Sequence, residues 1–193
     1  MLKGGGFVGG SRCSVGYNGG MNMQSPPIPH FDFWLPAIQA GFLPLPRLIE
    51  WADSQIAALD NPPFWLIELA VAHDADGVRN AMLEVPMFES ERYGLLYLGF
   101  LYLAFEAGQL PLEQLLRESG EFADCCTYNH VPACEEFYWL LNEVEGQRER
   151  NPSLPIPKSL SREIHDLFAQ MVDEARASVE RSPVGSRLSF AAG

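Results

Sequence analysis

Between Arg92 and Glu106 the chain runs for thirteen residues, Tyr93 to Phe105, without a charge. Crossing a bilayer takes about 20 such residues, and an ordinary strand is only about five or six residues long. The run therefore reads as a helix in the centre of a water-soluble core. A rod that is apolar on every side needs neighbours on every side, so the rest of the chain must supply elements that each offer it one apolar face.

The flanking segments do so with helical spacing. Phe31, Trp34, Leu35 and Ile38 form a stripe on a short first helix that Gly41 can cap, and Leu48, Ile49, Ala52, Ile56 and Leu59 follow on a second helix opened by Pro46 and ended by Asp60 to Pro63. Phe64 to Ala72 is apolar nearly all round and reads as a third, central helix, with Val78 to Val85 as a short fourth before Pro86. The apolar run, N-capped by Ser90 and closed by Gly108, is the fifth. Leu110 to Gly120 makes a sixth, followed by a loop from Glu121 to Val131, and Pro132 opens a seventh on which Cys134, Phe137, Leu140, Leu141 and Val144 share a face. After a polar linker, Gln147 to Pro157, the last helix runs from Leu160 to Glu180 and buries Leu160, Ile164, Leu167, Phe168, Met171, Val172, Ala175 and Val179. Arg162/Asp166 and Arg176/Glu180 are its exposed i, i+4 pairs. No segment alternates apolar and polar residues as a half-buried strand does. The fold class is all-α: one compact domain of seven or eight helices over residues 25–182, between tails at 1–24 and 183–193. Eight glycines among the first twenty residues make the N-terminal tail costly to order, and it is expected to be disordered.

One stretch is written twice. Ala40-Gly41-Phe42-Leu43-Pro44-Leu45-Pro46-Arg47-Leu48 returns 67 residues later as Ala107-Gly108-Gln109-Leu110-Pro111-Leu112-Glu113-Gln114-Leu115, with six of nine positions identical. Each copy puts a capping Gly after one helix and a Pro near the start of the next. Two tandem helix-turn-helix units are one explanation; the other is independent use of turn chemistry that any such corner favours.

Charge bears on partners. Lys3, Arg12, Arg181 and Arg187 lie in or beside the tails, which hold no Asp or Glu; removing those four from thirteen basic residues leaves nine against 25 acidic ones in the body, a net of −16. Such a surface repels phosphate backbones and anionic lipid, so nucleic acid and membrane are expected not to be partners, whereas a basic protein is drawn to it. Four cysteines, one near the N-terminus and three within ten residues, do not make a secreted disulfide framework, and glycines break every apolar stretch near the N-terminus, which leaves no signal-peptide core; a cytoplasmic location is expected.

Four groups of side chains invite a chemical reading. Cys125, Cys126, His130 and Cys134 offer soft metal ligands within ten residues, but not in the paired C-x2-C spacing of common zinc modules, and Cys134 falls on a core stripe. Glu68 is the one charge in Phe64 to Val71; it must be protonated as a raised-pKa acid, paired with a residue such as Arg47 or Arg79, or pointing outward. His73, Asp74 and Asp76 read as a solvated turn. Glu135, Glu136, Tyr138 and Trp139 combine carboxylates with aromatic rings that cannot all face inward on one helix; they are the candidate partner-binding residues, unless both rings pack under the linker at 147–157. No Walker, Rossmann, nucleophile-elbow or H-E-x-x-H motif is present. No catalytic residue, cofactor site or metal site is assigned.

The region from Trp34 to Glu68, with its helix ending Ala40-Gly41, the segment Leu48-Ile49-Glu50-Trp51-Ala52-Asp53 and the run Trp65-Leu66-Ile67-Glu68-Leu69-Ala70, resembles small all-helical bacterial domains of unknown function, some of which occur as immunity proteins beside secreted toxins. The resemblance implies a binding protein without chemistry of its own. Two function classes follow: an acidic protein-binding module, immunity- or antitoxin-like, and an enzyme or metal-binding domain using the Cys125–Cys134 region or Glu68.

Overall fold

A computed structural model describes residues 33–83, 90–125, 130–153 and 155–181. Among these there are eight α-helices and no strand: α1 Trp34–Gln39, α2 Leu45–Ala58, α3 Phe64–Ala70, α4 Ala75–Leu83, α5 Ser90–Glu106, α6 Leu112–Cys125, α7 Cys134–Arg150 and α8 Lys158–Arg181. The tails expected at 1–24 and 183–193, together with Phe31, Pro86, Cys126 and the side chain of Ser90, lie outside the described residues.

The all-α reading holds, and so does the place of the apolar run. Leu96, Leu98, Phe100, Leu101, Tyr102, Leu103 and Ala104 on α5 are buried. Phe100 meets Phe33 and Phe42 at ring-centroid distances of 6.3 and 5.2 Å, and Tyr102 meets Phe168 of α8 at 5.0 Å. Long α8 lies along α5 with Ile164, Phe168, Met171, Val172, Ala175 and Val179 buried. The two backbones come so close that a Cβ on Gly99 would sit 2.2 Å from the carbonyl oxygen of Met171. Glycine is therefore required at 99 by the approach of a second helix, since its helix propensity is poor.

Both copies of the repeated stretch build the same corner. Gly41 and Gly108 each have φ +70°. In the first copy the N–H groups of Gly41 and Phe42 donate to the carbonyls of Ile38 and Ala37; in the second, those of Gly108 and Gln109 donate to Phe105 and Ala104. This is the Schellman closure, in which a left-handed glycine lets two orphan carbonyls of the last turn find donors. The likeness extends beyond the corner. Helices α2 and α6 are each 14 residues long, and both of their ends are offset by 67 residues. In the first half α1 packs on α4, α2 on α3 and α3 on α4; in the second, α5 packs on α8, α6 on α7 and α7 on α8, with α1 against α5 joining the halves. The halves, two units of four helices, share most but not all of this packing scheme: α5 also packs on α6, a contact that α1 and α2 do not match.

Four expectations need correction. The third helix is peripheral: Leu66 and Leu69 are buried, but Phe64, Ile67 and Val71 stay 63%, 40% and 62% exposed. Among the described residues the main partners of α3 are α2 and α4, and these short helices leave its outer face uncovered. The sixth helix does not stop at Gly120 but continues to Cys125, because Gly120 is a contact point and not a cap: a Cβ there would lie 2.7 Å from the ring of Tyr138. Helix α7 reaches Arg150, past the start of the expected linker, with Arg148 and Arg150 placed favourably in its last turn. Finally, Arg176 turns away from Glu180 and bonds Glu106 of α5 at 2.9 Å, while Arg162 and Asp166 do pair, at 3.7 Å.

Candidate acidic groove between α7 and α8

The first two turns of α7 face the second and third turns of α8, with Phe137 against Phe168 at 5.5 Å beneath them. Above this contact lies an open groove of about 390 Å³ lined by Glu135, Glu136, Trp139 and Leu140 from α7 and by Glu163 and Leu167 from α8. Helical spacing explains the set. Phe137, Leu140, Leu141 and Val144 are buried, so Glu135, Glu136 and Trp139 fall on the outer flank. On α8 the buried stripe passes through Ile164 and Phe168, leaving Glu163 exposed and Leu167, expected in that stripe, half-buried at its edge. Trp139 is 51% exposed, although an indole is among the most favourable groups to bury. No lysine or arginine is among the residues lining the groove.

Glu135 and Glu136 sit in the first turn of α7, where the helix dipole favours negative charge. The carboxyl of Glu135 is held below its ordinary pKa by its own backbone N–H and by the Cys134 thiol, which donates to it at 3.4 Å. Of the four expected partner-binding residues, three therefore share the groove. Tyr138 does not: one residue along the helix its ring turns to α6 and rests half-buried on Gly120. Burial there, and then the charges of Asp124 and Glu121, push its phenol pKa upward. Glu163 was not singled out from the sequence and Leu167 was read there only as a core residue; each looks like an ordinary position on an amphipathic helix until α7 is placed beside it.

Around Cys134 the described surroundings are acidic. The Cys134 thiol lies 3.8 Å from Asp124 and 3.4 Å from Glu135. Partial burial raises its pKa, and the hydrogen bond to Glu135 and the negative charges of Glu135 and Asp124 raise it further, which disfavours thiolate. Cys125 and His130 are exposed. Among the described residues no three His, Cys, Asp or Glu side chains converge as a cation site. Glu68 is half-buried and lines neither the groove nor the larger cleft, and Arg79 lies by Asp76 at 3.8 Å.

That larger cleft, about 970 Å³, opens between the two units and is walled mainly by Leu35, Ile38, Leu43, Tyr93, Tyr97 and Phe122. Among its polar members Asp74 accepts the Gly77 N–H at 2.8 Å and so caps α4, whose first turn holds Asp76 and Gly77, both expected in a turn before that helix, and Arg79 lies by Asp76. No helix among the described residues is long and apolar enough to cross a membrane. No family model matches the chain, and neither the curated proteins nor the solved structures include one with significant similarity to it.

Proposed function

We propose that this chain is a non-enzymatic binding module whose α7–α8 groove docks a basic segment of a partner protein. The observation that carries the reading is Trp139, half-exposed between Glu135 and Glu136 on one helix and Glu163 on the other, in a groove without a cation of its own. Covering the exposed half of an indole removes roughly 100 Å² from water, worth about 2 to 3 kcal/mol. The body's surplus of acidic residues steers a positive partner toward the groove and repels nucleic acid and anionic lipid. A partner such as a basic toxin fits both this chemistry and the resemblance of residues 34–68 to immunity-type helical domains, and a cytoplasmic location accords with that role.

Fluorescence polarisation with a labelled Gly-Ser-Arg-Leu-Lys-Arg-Gly-Ser peptide tests the reading. Binding is expected to weaken as salt rises and to fall about tenfold or more in Trp139→Ala and in Glu136→Gln/Glu163→Gln, with a scrambled acidic peptide inert. Equal affinity in those variants, or no binding at low salt, would overturn it.

A further inference from the structure

We propose that the group recognised in the α7–α8 groove is a single arginine side chain of the partner, stacked on the indole of Trp139 with its guanidinium between the carboxylates of Glu135 and Glu136 on α7 and Glu163 on α8. This rests on the groove being a basic partner's docking site and narrows what it accepts. Size comes first. The lining residues run from Glu135 to Leu140 on one helix and from Glu163 to Leu167 on the other, little more than one turn of each, or about 8 Å. A bound amphipathic helix presents anchors at i, i+3 or i+4, and i+7, over more than two turns, so the groove is too short for one. Its 390 Å³ lies at the low end for ligand sites and suits one long side chain entering from an extended segment.

Chemistry then selects the side chain. Leu140 and Leu167 offer an apolar bed for methylenes, Trp139 an exposed aromatic face, and the carboxylates a negative rim contributed by both helices. A guanidinium is planar and weakly hydrated, stacks on indole, and carries five donors in a fork that can reach carboxylates on two sides. An ammonium is compact and strongly hydrated; it satisfies the rim but gains less from the ring. Hydrogen bonds from its own backbone N–H and from the Cys134 thiol lower the pKa of Glu135 and so favour its charged form.

The test follows the Trp139 indole N–H resonance in the nitrogen-15-labelled full chain while N-acetylarginine amide, N-acetyllysine amide or N-acetylcitrulline amide is added. Trp139→Phe identifies the resonance. The arginine amide is expected to move it saturably, the lysine amide to do so at least threefold more weakly, and the neutral citrulline amide not at all over the same range; Glu136→Gln/Glu163→Gln, with an unchanged helical spectrum, abolishes the response. Citrulline acting like arginine, or a response retained in the double variant, overturns the proposal. Lysine equal to arginine overturns arginine selection while leaving the basic-partner reading intact, whereas failure of both amides and of the basic peptide removes both. Movement of the resonance on Arg187→Gln without added ligand, or on protein dilution, assigns the groove to the chain's own C-terminal segment or to a second copy, and overturns a partner's arginine.

Discussion

Replacing Gly99 with alanine adds one methyl group where α5 and α8 touch. That methyl carbon would lie 2.2 Å from the carbonyl oxygen of Met171, 2.7 Å from its carbonyl carbon and 2.9 Å from Cβ of Ala175. Carbon and carbonyl oxygen sit comfortably at about 3.3 Å or more, so the helices must part by roughly 1 Å. The obstacle is backbone, which has no rotamer to change, and α8 also carries buried Phe168, Met171, Val172 and Ala175 against the core. Overpacking costs about 1 to 3 kcal/mol and occasionally more, and a backbone clash belongs at the upper end. Alanine recovers about 1 kcal/mol of helix propensity, leaving a net loss of about 2 kcal/mol or more. Urea unfolding followed by far-ultraviolet circular dichroism measures it, and heating should show a midpoint lower by about 4 to 8 °C. Gly146→Ala is the internal control: its Cβ would meet only the Arg150 guanidinium, at an ordinary 3.5 Å, so the same substitution should there stabilise by about 1 kcal/mol or somewhat less. A Gly99→Ala chain as stable as the parent would refute the close approach of α5 and α8, and with it the placement of the core.

Other substitutions probe separate parts of the account. Ser119 is fully buried on α6 and its hydroxyl has no hydrogen-bond partner among the described residues, so Ser119→Ala should raise stability by about 1 kcal/mol in the same urea assay, and a loss would mean that the hydroxyl is bonded. Phe64→Ser on the outer face of α3 and Val71→Ser at its C-terminal cap should each cost less than about 1 kcal/mol, against about 3 to 5 kcal/mol for Phe100→Ala in the core; a large loss at 64 or 71 would mean that α3 is covered. For Cys134 the raised thiol pKa fixes the sign: less thiolate than an ordinary cysteine at pH 8, and faster iodoacetamide alkylation when Asp124→Asn and Glu135→Gln remove the neighbouring charges. The rates are read in a chain whose other three cysteines are serine, and an unchanged rate would show that the carboxylates do not reach the thiol.

What could be read from the sequence follows the range of the forces involved. The central helix and the two Gly-closed corners were legible because a continuous apolar run and a glycine before a proline act on their own segment. Gly120 misled for the same reason: locally it resembles a helix stop, but its role is set by the ring of Tyr138, eighteen residues further on. The apolar third helix looked central because composition records what a segment can bury and says nothing about whether a neighbour is long enough to bury it. At the candidate groove, Glu135, Glu136 and Trp139 stood out as a mismatch within one helix, while Glu163 and Leu167 arrive from α8 across the intervening loop. Tyr138, adjacent in sequence to Trp139, belongs to another contact because successive helical residues point about 100° apart.

The central claim, that a basic partner seats on the α7–α8 groove, is met most directly by carboxyl footprinting of the full chain with and without a saturating amount of the labelled basic peptide. Carbodiimide-driven amidation should slow several-fold at Glu135, Glu136 and Glu163 and stay unchanged at exposed carboxylates elsewhere, such as Glu50, Asp53 and Asp173. Protection spread evenly over the acidic surface, or gathered beside the apolar face of α3, would contradict it.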